Sequence, residues 1–83
     1  MNVDVRYFAA VREALGSGER VESDAGATIA TLRDALARRG GRHGEALGRE
    51  RVLRSARNRV LCAEDAALAD GDEVGFFPPL TGG

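Results

Sequence analysis

Few side chains in this sequence could do chemistry by themselves. There is one cysteine, Cys62, and one histidine, His43. A single cysteine excludes an internal disulfide and a cysteine-cage metal site. Cys62 follows Val60 and Leu61, so it reads as a half-buried strand thiol, not a sulfur relay. His43 stands in a glycine-flanked stretch without a second ligand and reads as a surface residue. The stronger candidate is the end of the chain, Phe76-Phe77-Pro78-Pro79-Leu80-Thr81-Gly82-Gly83. There the reacting group is expected to be the carboxylate of Gly83.

The residue types suit that reading. An apolar strand ends in two aromatics, and two prolines, which cannot donate to a sheet ladder, forbid its continuation. Extended, residues 78–83 reach ~20 Å at about 3.3 Å per residue, enough to enter a site in another protein. Gly82 and Gly83 have no Cβ, so the tail fits a narrow channel and tolerates positive φ. Pro78 and Pro79 limit its freedom beforehand and reduce the entropy lost on insertion. Two parts follow: a globular domain over residues 1–77 and an extended, flexible C-terminal tail over 78–83. Pro78, Pro79, Leu80, Thr81 and Gly82 would join the domain to Gly83.

Eighty-three residues make one small domain, above the size at which metals or disulfides are normally required. The net charge of −1 excludes a global electrostatic case for nucleic acid or an anionic membrane. No apolar run approaches the ~20 residues of a membrane span, and no basic-then-apolar leader opens the chain. A cytoplasmic protein is expected. All twelve basic residues are arginine, so a chain with an activated C-terminus could not form an isopeptide bond with a lysine of its own kind.

The elements that must carry the tail come from periodicity. Val3, Val5 and Tyr7 alternate with polar residues over 2–8, a strand with Phe8 on its outer face. Ala9 to Leu15 suits a short helix, Gly16-Ser17-Gly18 a turn, and Arg20 to Ser23 the second strand of a hairpin. Thr28 reads as the N-cap of the main helix. Ile29, Leu32 and Leu36 form its core stripe, Arg33 and Asp34 fill other faces, Arg38 and Arg39 sit in its last turn, and Gly40-Gly41 ends it. Residues 42–51 are hard to read, with one helical turn expected at Glu45-Ala46-Leu47. Val52 to Ala56, Val60 to Cys62 and Glu73 to Phe77 read as strands, with turns at Arg57-Asn58-Arg59 and Asp70-Gly71-Asp72. The class is α+β, a mixed sheet with one main helix packed across one face. The order matches a ubiquitin-like β-grasp domain, whose first and last strands lie parallel in the centre. Phe8 and Phe77 would then meet on the open face beside the tail, as a partner interface.

Three segments together resemble the MoaD family, the small subunits of molybdopterin synthase. They are Arg6-Tyr7-Phe8-Ala9-Ala10-Val11-Arg12, Leu68-Ala69-Asp70-Gly71-Asp72-Glu73-Val74, and the tail Phe76 to Gly83. Arg57 departs from the pattern, since the family usually carries an apolar residue before the asparagine that follows. The resemblance implies that residues 78–82 insert into a partner's site, and it implies a cycle. A ubiquitin-activating-type (MoeB-like) enzyme adenylates Gly83 with ATP, and a sulfur donor protein displaces AMP to leave a thiocarboxylate. The large synthase subunit (MoaE-like) then receives that sulfur for a cyclic pterin precursor, two transfers building the molybdopterin dithiolene. The chain would act enzymatically only as this sulfur-donating subunit, with no catalytic site, cofactor or metal of its own.

Other readings compete. The chain could carry sulfur for thiamine, tRNA or cysteine synthesis, or be a ubiquitin-like modifier conjugated to lysines, or a plain interaction domain. The arginines at 49, 51, 54, 57 and 59 could suggest nucleic acid, but no aromatics are interleaved and acidic residues follow closely. A solvated face, or a charge patch for an acidic partner, is the better reading.

Overall fold

Strand pairing at the middle of the sheet joins the two ends of the chain. The computed structural model describes residues 1–79. The first strand, β1 (Asn2–Tyr7), lies parallel to the last, β5 (Glu73–Phe77), with Val5 opposite Val74 and Tyr7 opposite Phe76. On one side β1 pairs antiparallel with β2 (Gly18–Glu22). On the other, β5 pairs antiparallel with β3 (Arg54–Arg57), and β3 with β4 (Val60–Cys62). The order β2-β1-β5-β3-β4 makes a mixed sheet of the ubiquitin-like β-grasp type.

The alternation expected of β1 holds: Val3, Val5 and Tyr7 are buried, while Arg6 and Phe8 are exposed. Val74 and Phe76 add the inward face of β5. Against this face pack Val11 of α1 (Ala9–Leu15), Ile29, Leu32 and Leu36 of α2 (Ile29–Ala37), and Leu47 of α3 (Gly41–Leu47). The N-terminus of α2 is closed as expected and more completely: Thr28 Oγ accepts from the Thr31 amide, and Thr31 Oγ accepts from the Thr28 amide.

Four expectations need correction. The short helix expected at Ala9–Leu15 is present, but the single turn expected at Glu45-Ala46-Leu47 is the end of a third helix. Gly40 and Gly41, with φ of 76° and 53°, redirect the chain into α3, two turns long, of which Gly40 is the N-cap and Gly41 the first residue. Helix α2 closes at Ala37, so Arg38 is its C-cap and Arg39 lies beyond it. The hairpin strands shift by about two residues each, to Gly18–Glu22 and Arg54–Arg57. Gly18 is required there, because a Cβ would collide with the Val5 carbonyl.

The fourth correction is Arg33, placed on an outer face by its charge but only 3% exposed. Its Nε donates to the Leu47 carbonyl at 2.7 Å. Nη2 donates to the carbonyls of Gly48 and Arg51, and Nη1 to Glu64 Oε2 at 2.7 Å. One guanidinium therefore anchors the irregular run after α3 and the segment after β4. Burial pushes the Glu64 carboxyl up, but donation from Arg49 and Arg33 overcomes this and holds it below the ordinary range.

Candidate functional site

The root of the tail is built by β1 and β5 ending side by side. Tyr7 and Phe76 face inward at the last paired position, so Phe8 and Phe77 face the open side. The Phe8 amide donates to the Phe76 carbonyl at 3.2 Å, which extends the ladder one step past β1. Phe8 has extended backbone angles and caps α1, so the turn into the helix holds its ring over the sheet. The rings meet edge to face, with centroids 6.3 Å apart and planes at 84°. Gly75 between them has no side chain, and a Cβ there would stand 3.0 Å from Phe8 Cε2. The aromatic platform thus needs glycine at 75.

Around the rings the open face stays apolar. Phe8 is 46% exposed and Leu61 of β4 is 62% exposed. Ala56 lies opposite both Gly75 and Leu61, so the three share one row across β5, β3 and β4. A hollow lined by Phe8, Ala56, Arg59, Leu61, Glu73, Gly75 and Phe77 results. Pro78 and Pro79 follow directly and are half-buried. Leu80, Thr81, Gly82 and Gly83, which include the expected reacting group and the rest of the tail, lie outside the described residues.

The remaining chemical candidates are held elsewhere. His43 lies in α3, not in a loop, and its Nε2 stands 2.9 Å from Glu19 Oε2. Glu19 also accepts from the Tyr7 hydroxyl at 2.8 Å and from Arg39 at 2.6 Å. Burial pushes its carboxyl up, but the hydrogen bonds from His43, Arg39 and Tyr7 win and hold it at about 2. The buried Tyr7 phenol is pushed above its ordinary range, by burial first and then by Glu19. This cluster ties β1, β2 and α3 together. Cys62 is half-buried on β4, as expected.

The arginine-rich stretch is largely engaged in structural contacts. Arg49 pairs with Asp34 at 2.9 Å and Glu64 at 2.5 Å, Arg51 donates to the Glu45 carbonyl, and Arg57 donates to that of Ala67. Among the described residues no cluster of His, Cys, Asp and Glu could hold a metal ion, and no helix is long and apolar enough to cross a membrane.

Sequence reasoning brought Phe8 and Phe77 together correctly. It missed Gly75 as the floor of the platform and Leu61 as its far edge. The signal for Gly75 was available, since a glycine between two inward core residues marks a close approach on the other face.

Comparison with known proteins places the chain in one family and agrees with the fold. The model of the ThiS family matches residues 5–83. The chain is 40% identical over 81 residues to the molybdopterin synthase sulfur carrier subunit of Escherichia coli, covering 98% of this chain and 99% of that one. It is 38% identical over 92 residues to small archaeal modifier protein 3 of Haloferax volcanii, covering both chains fully. A solved complex of subunits 1 and 2 of molybdopterin-converting factor from Helicobacter pylori contains a chain of the same fold. That chain is matched at a TM-score of 0.69 and 28% identity over the full length of both.

Proposed function

The chain belongs to the ThiS family, and from that premise we propose that it is the sulfur-carrier subunit of a molybdopterin synthase. The observation that carries this is the likeness to molybdopterin synthase sulfur carrier subunits, 40% identical over nearly the full length of both chains in the case from Escherichia coli, within a family match that runs to Gly83. In this reading the Gly83 carboxylate attacks ATP on a ubiquitin-activating-type enzyme, releasing pyrophosphate and forming an acyl adenylate. A free carboxylate has only a poor leaving group; the adenylate supplies a good one. Sulfide displaces AMP to leave a thiocarboxylate, the nucleophile that the synthase needs. When a donor protein's persulfide attacks instead, the acyl disulfide formed is cleaved by a second thiol. That thiol leaves as a disulfide with the donor, to give the same thiocarboxylate. The chain supplies the acyl group and its delivery. Its partners supply ATP, acid, base and the pterin precursor, and this chain holds no cofactor.

Delivery depends on the tail and its root. Pro78, Pro79, Leu80, Thr81 and Gly82 carry Gly83 into the large subunit's site. Phe8 and Phe77 dock the sheet's open face against that subunit and against the activating enzyme. The Helicobacter pylori complex, in which a chain of this fold pairs with subunit 2 of its factor, supports such an assembly.

A second reading, a ubiquitin-like modifier conjugated to lysines, is favoured by the likeness to the archaeal modifier protein. One experiment separates them: the chain is incubated with its activating enzyme, ATP and sulfide, and its intact mass is measured. A gain equal to replacing one oxygen by sulfur, abolished by deleting Gly83, is the expected result. Lysine adducts on other proteins without that gain would select the modifier. No change in a host competent for sulfur transfer would overturn both. In the same system Phe77→Ala should weaken binding to the large subunit about tenfold while the protein stays folded.

A further inference from the structure

The tail end of the open face carries more positive charge than the chain as a whole. Register sets Arg6 of β1 beside Gly75, and Arg54 of β3 opposite Phe77. Arg59, 86% exposed along its side chain, lines the same hollow as the two aromatics. Three arginines therefore border the platform, and Arg6 and Arg59 share one carboxylate, Glu73, at 4.0 and 3.5 Å. Arg54 has no carboxylate within salt-bridge distance among the described residues. The whole chain has a net charge of −1, so composition alone does not produce this excess.

Docking an apolar hollow removes water from its rim as well as its centre. A guanidinium covered in that way without a partner is costly, because its lost hydration is not replaced. Arg54 adjoins Phe77 directly, so any protein that covers Phe77 also covers or borders Arg54. Building on the docking role assigned to this face, we propose that its partner presents an apolar patch bordered by carboxylates. Arg54 is the specificity-determining residue that meets them. Arg6 and Arg59, already sharing Glu73, contribute mainly to long-range attraction. A protein surface fits better than single-stranded nucleic acid. The two rings are turned edge to face against each other, and Ala56 and Leu61 complete an aliphatic floor that offers bases no stacking plane.

The test is the affinity of the full-length chain for purified subunit 2 of molybdopterin-converting factor from the same organism, at about 20 mM and about 300 mM salt. Wild-type binding should weaken about tenfold across that range. Arg54→Glu should weaken it about tenfold at low salt and about twofold at high salt, and Arg54→Lys should stay close to wild type. Phe77→Ala should weaken binding equally at both. Urea midpoints of the Arg54 variants should match wild type, since the side chain is exposed. If Arg54→Glu binds within about twofold of wild type at low salt while Phe77→Ala binds weakly, docking on this face stands and the acidic rim is overturned. If neither substitution matters, the docking role and the inference built on it both fall. Displacement of subunit 2 by a short single-stranded oligoribonucleotide at the same salt would also overturn the proposal.

Discussion

Replacing Arg33 with methionine should cost about 4 kcal/mol of folding stability without touching the tail. Methionine roughly fills the space of the alkyl stem, so the loss comes mainly from the guanidinium. That group donates to the carbonyls of Leu47, Gly48 and Arg51 and to Glu64. A hydrogen bond to a charged donor contributes roughly 1.5–3 kcal/mol, and a stranded buried acceptor costs about 1–3 kcal/mol. The four losses are not additive. Arg51 is exposed and Gly48 partly so, so water replaces those two bonds, and Glu64 keeps Arg49 at 2.5 Å. The Leu47 carbonyl and the buried half of the Glu64 pair remain, which gives about 3–5 kcal/mol, the range for breaking a buried ion pair.

At roughly 0.05–0.15 kcal/mol per residue the whole domain is stable by only ~4–12 kcal/mol, so this one contact holds much of the margin. In urea, with a slope of about 1.5 kcal/mol per molar, the midpoint should fall by about 2–3 M. Arg33→Lys should recover less than half of the loss, because one ammonium cannot span four acceptors. Circular dichroism at 222 nm follows both variants. A midpoint change below about 0.5 M for Arg33→Met would refute the account and assign the anchoring of residues 47–51 to Leu47 alone.

Acid should destabilise the protein through Glu19. Its folded carboxyl titrates at about 2, against 4.5 for an ordinary glutamate. The stabilisation is therefore complete above about pH 4.5 and is lost as the pH falls toward 2; Glu19→Gln, measured by urea unfolding at pH 7 and 3, should remove on the order of 3 kcal/mol at the higher pH and flatten the acid slope. Thr28→Ala opens the capping box on α2 and should cost about 1 kcal/mol in the same assay. Gly75→Ala should change stability by less than about 1 kcal/mol, yet displace the Phe8 ring. Loss of the ring-current shifts between Phe8 and Phe77 in NMR spectra would report it; unchanged shifts would mean that the ring was never held by the bare glycine.

Local signals were legible where periodicity or a cap spoke for them. Val3, Val5 and Tyr7 alternate cleanly, Thr28 stands one residue before a helical stripe, and Glu73 to Phe77 runs between a turn and two prolines. Their contact partners followed once the first and last strands were placed side by side, which is why the Phe8–Phe77 pair was foreseen. Helix α3 was not, because Gly40, Gly41 and Gly44 read as breakers. That segment is helical because Leu47 is drawn into the core against α2, a tertiary preference that overrides local propensity.

Arg33 shows the opposite fault. Residues 29, 32, 33 and 36 lie at the spacing of one buried helical face, so position 33 belonged inward, but its charge argued against the geometry. Only the approach of Glu64 and three free carbonyls makes burial acceptable, and those come from parts of the chain 14 to 31 residues away. The pairing of His43 with Glu19, 24 residues apart, left no local mark either.

The parallel pairing of β1 with β5 also has a mechanical consequence. A pull on the tail reaches the fold at Phe77, the end of a central strand. If the opposing hold is at residue 1, β1 and β5 are loaded in opposite directions along their lengths. The bonds of that ladder then share the load in shear and must fail together, whereas an edge strand would peel one bond at a time. The segment that follows Phe77 is thus rooted where the domain resists traction best.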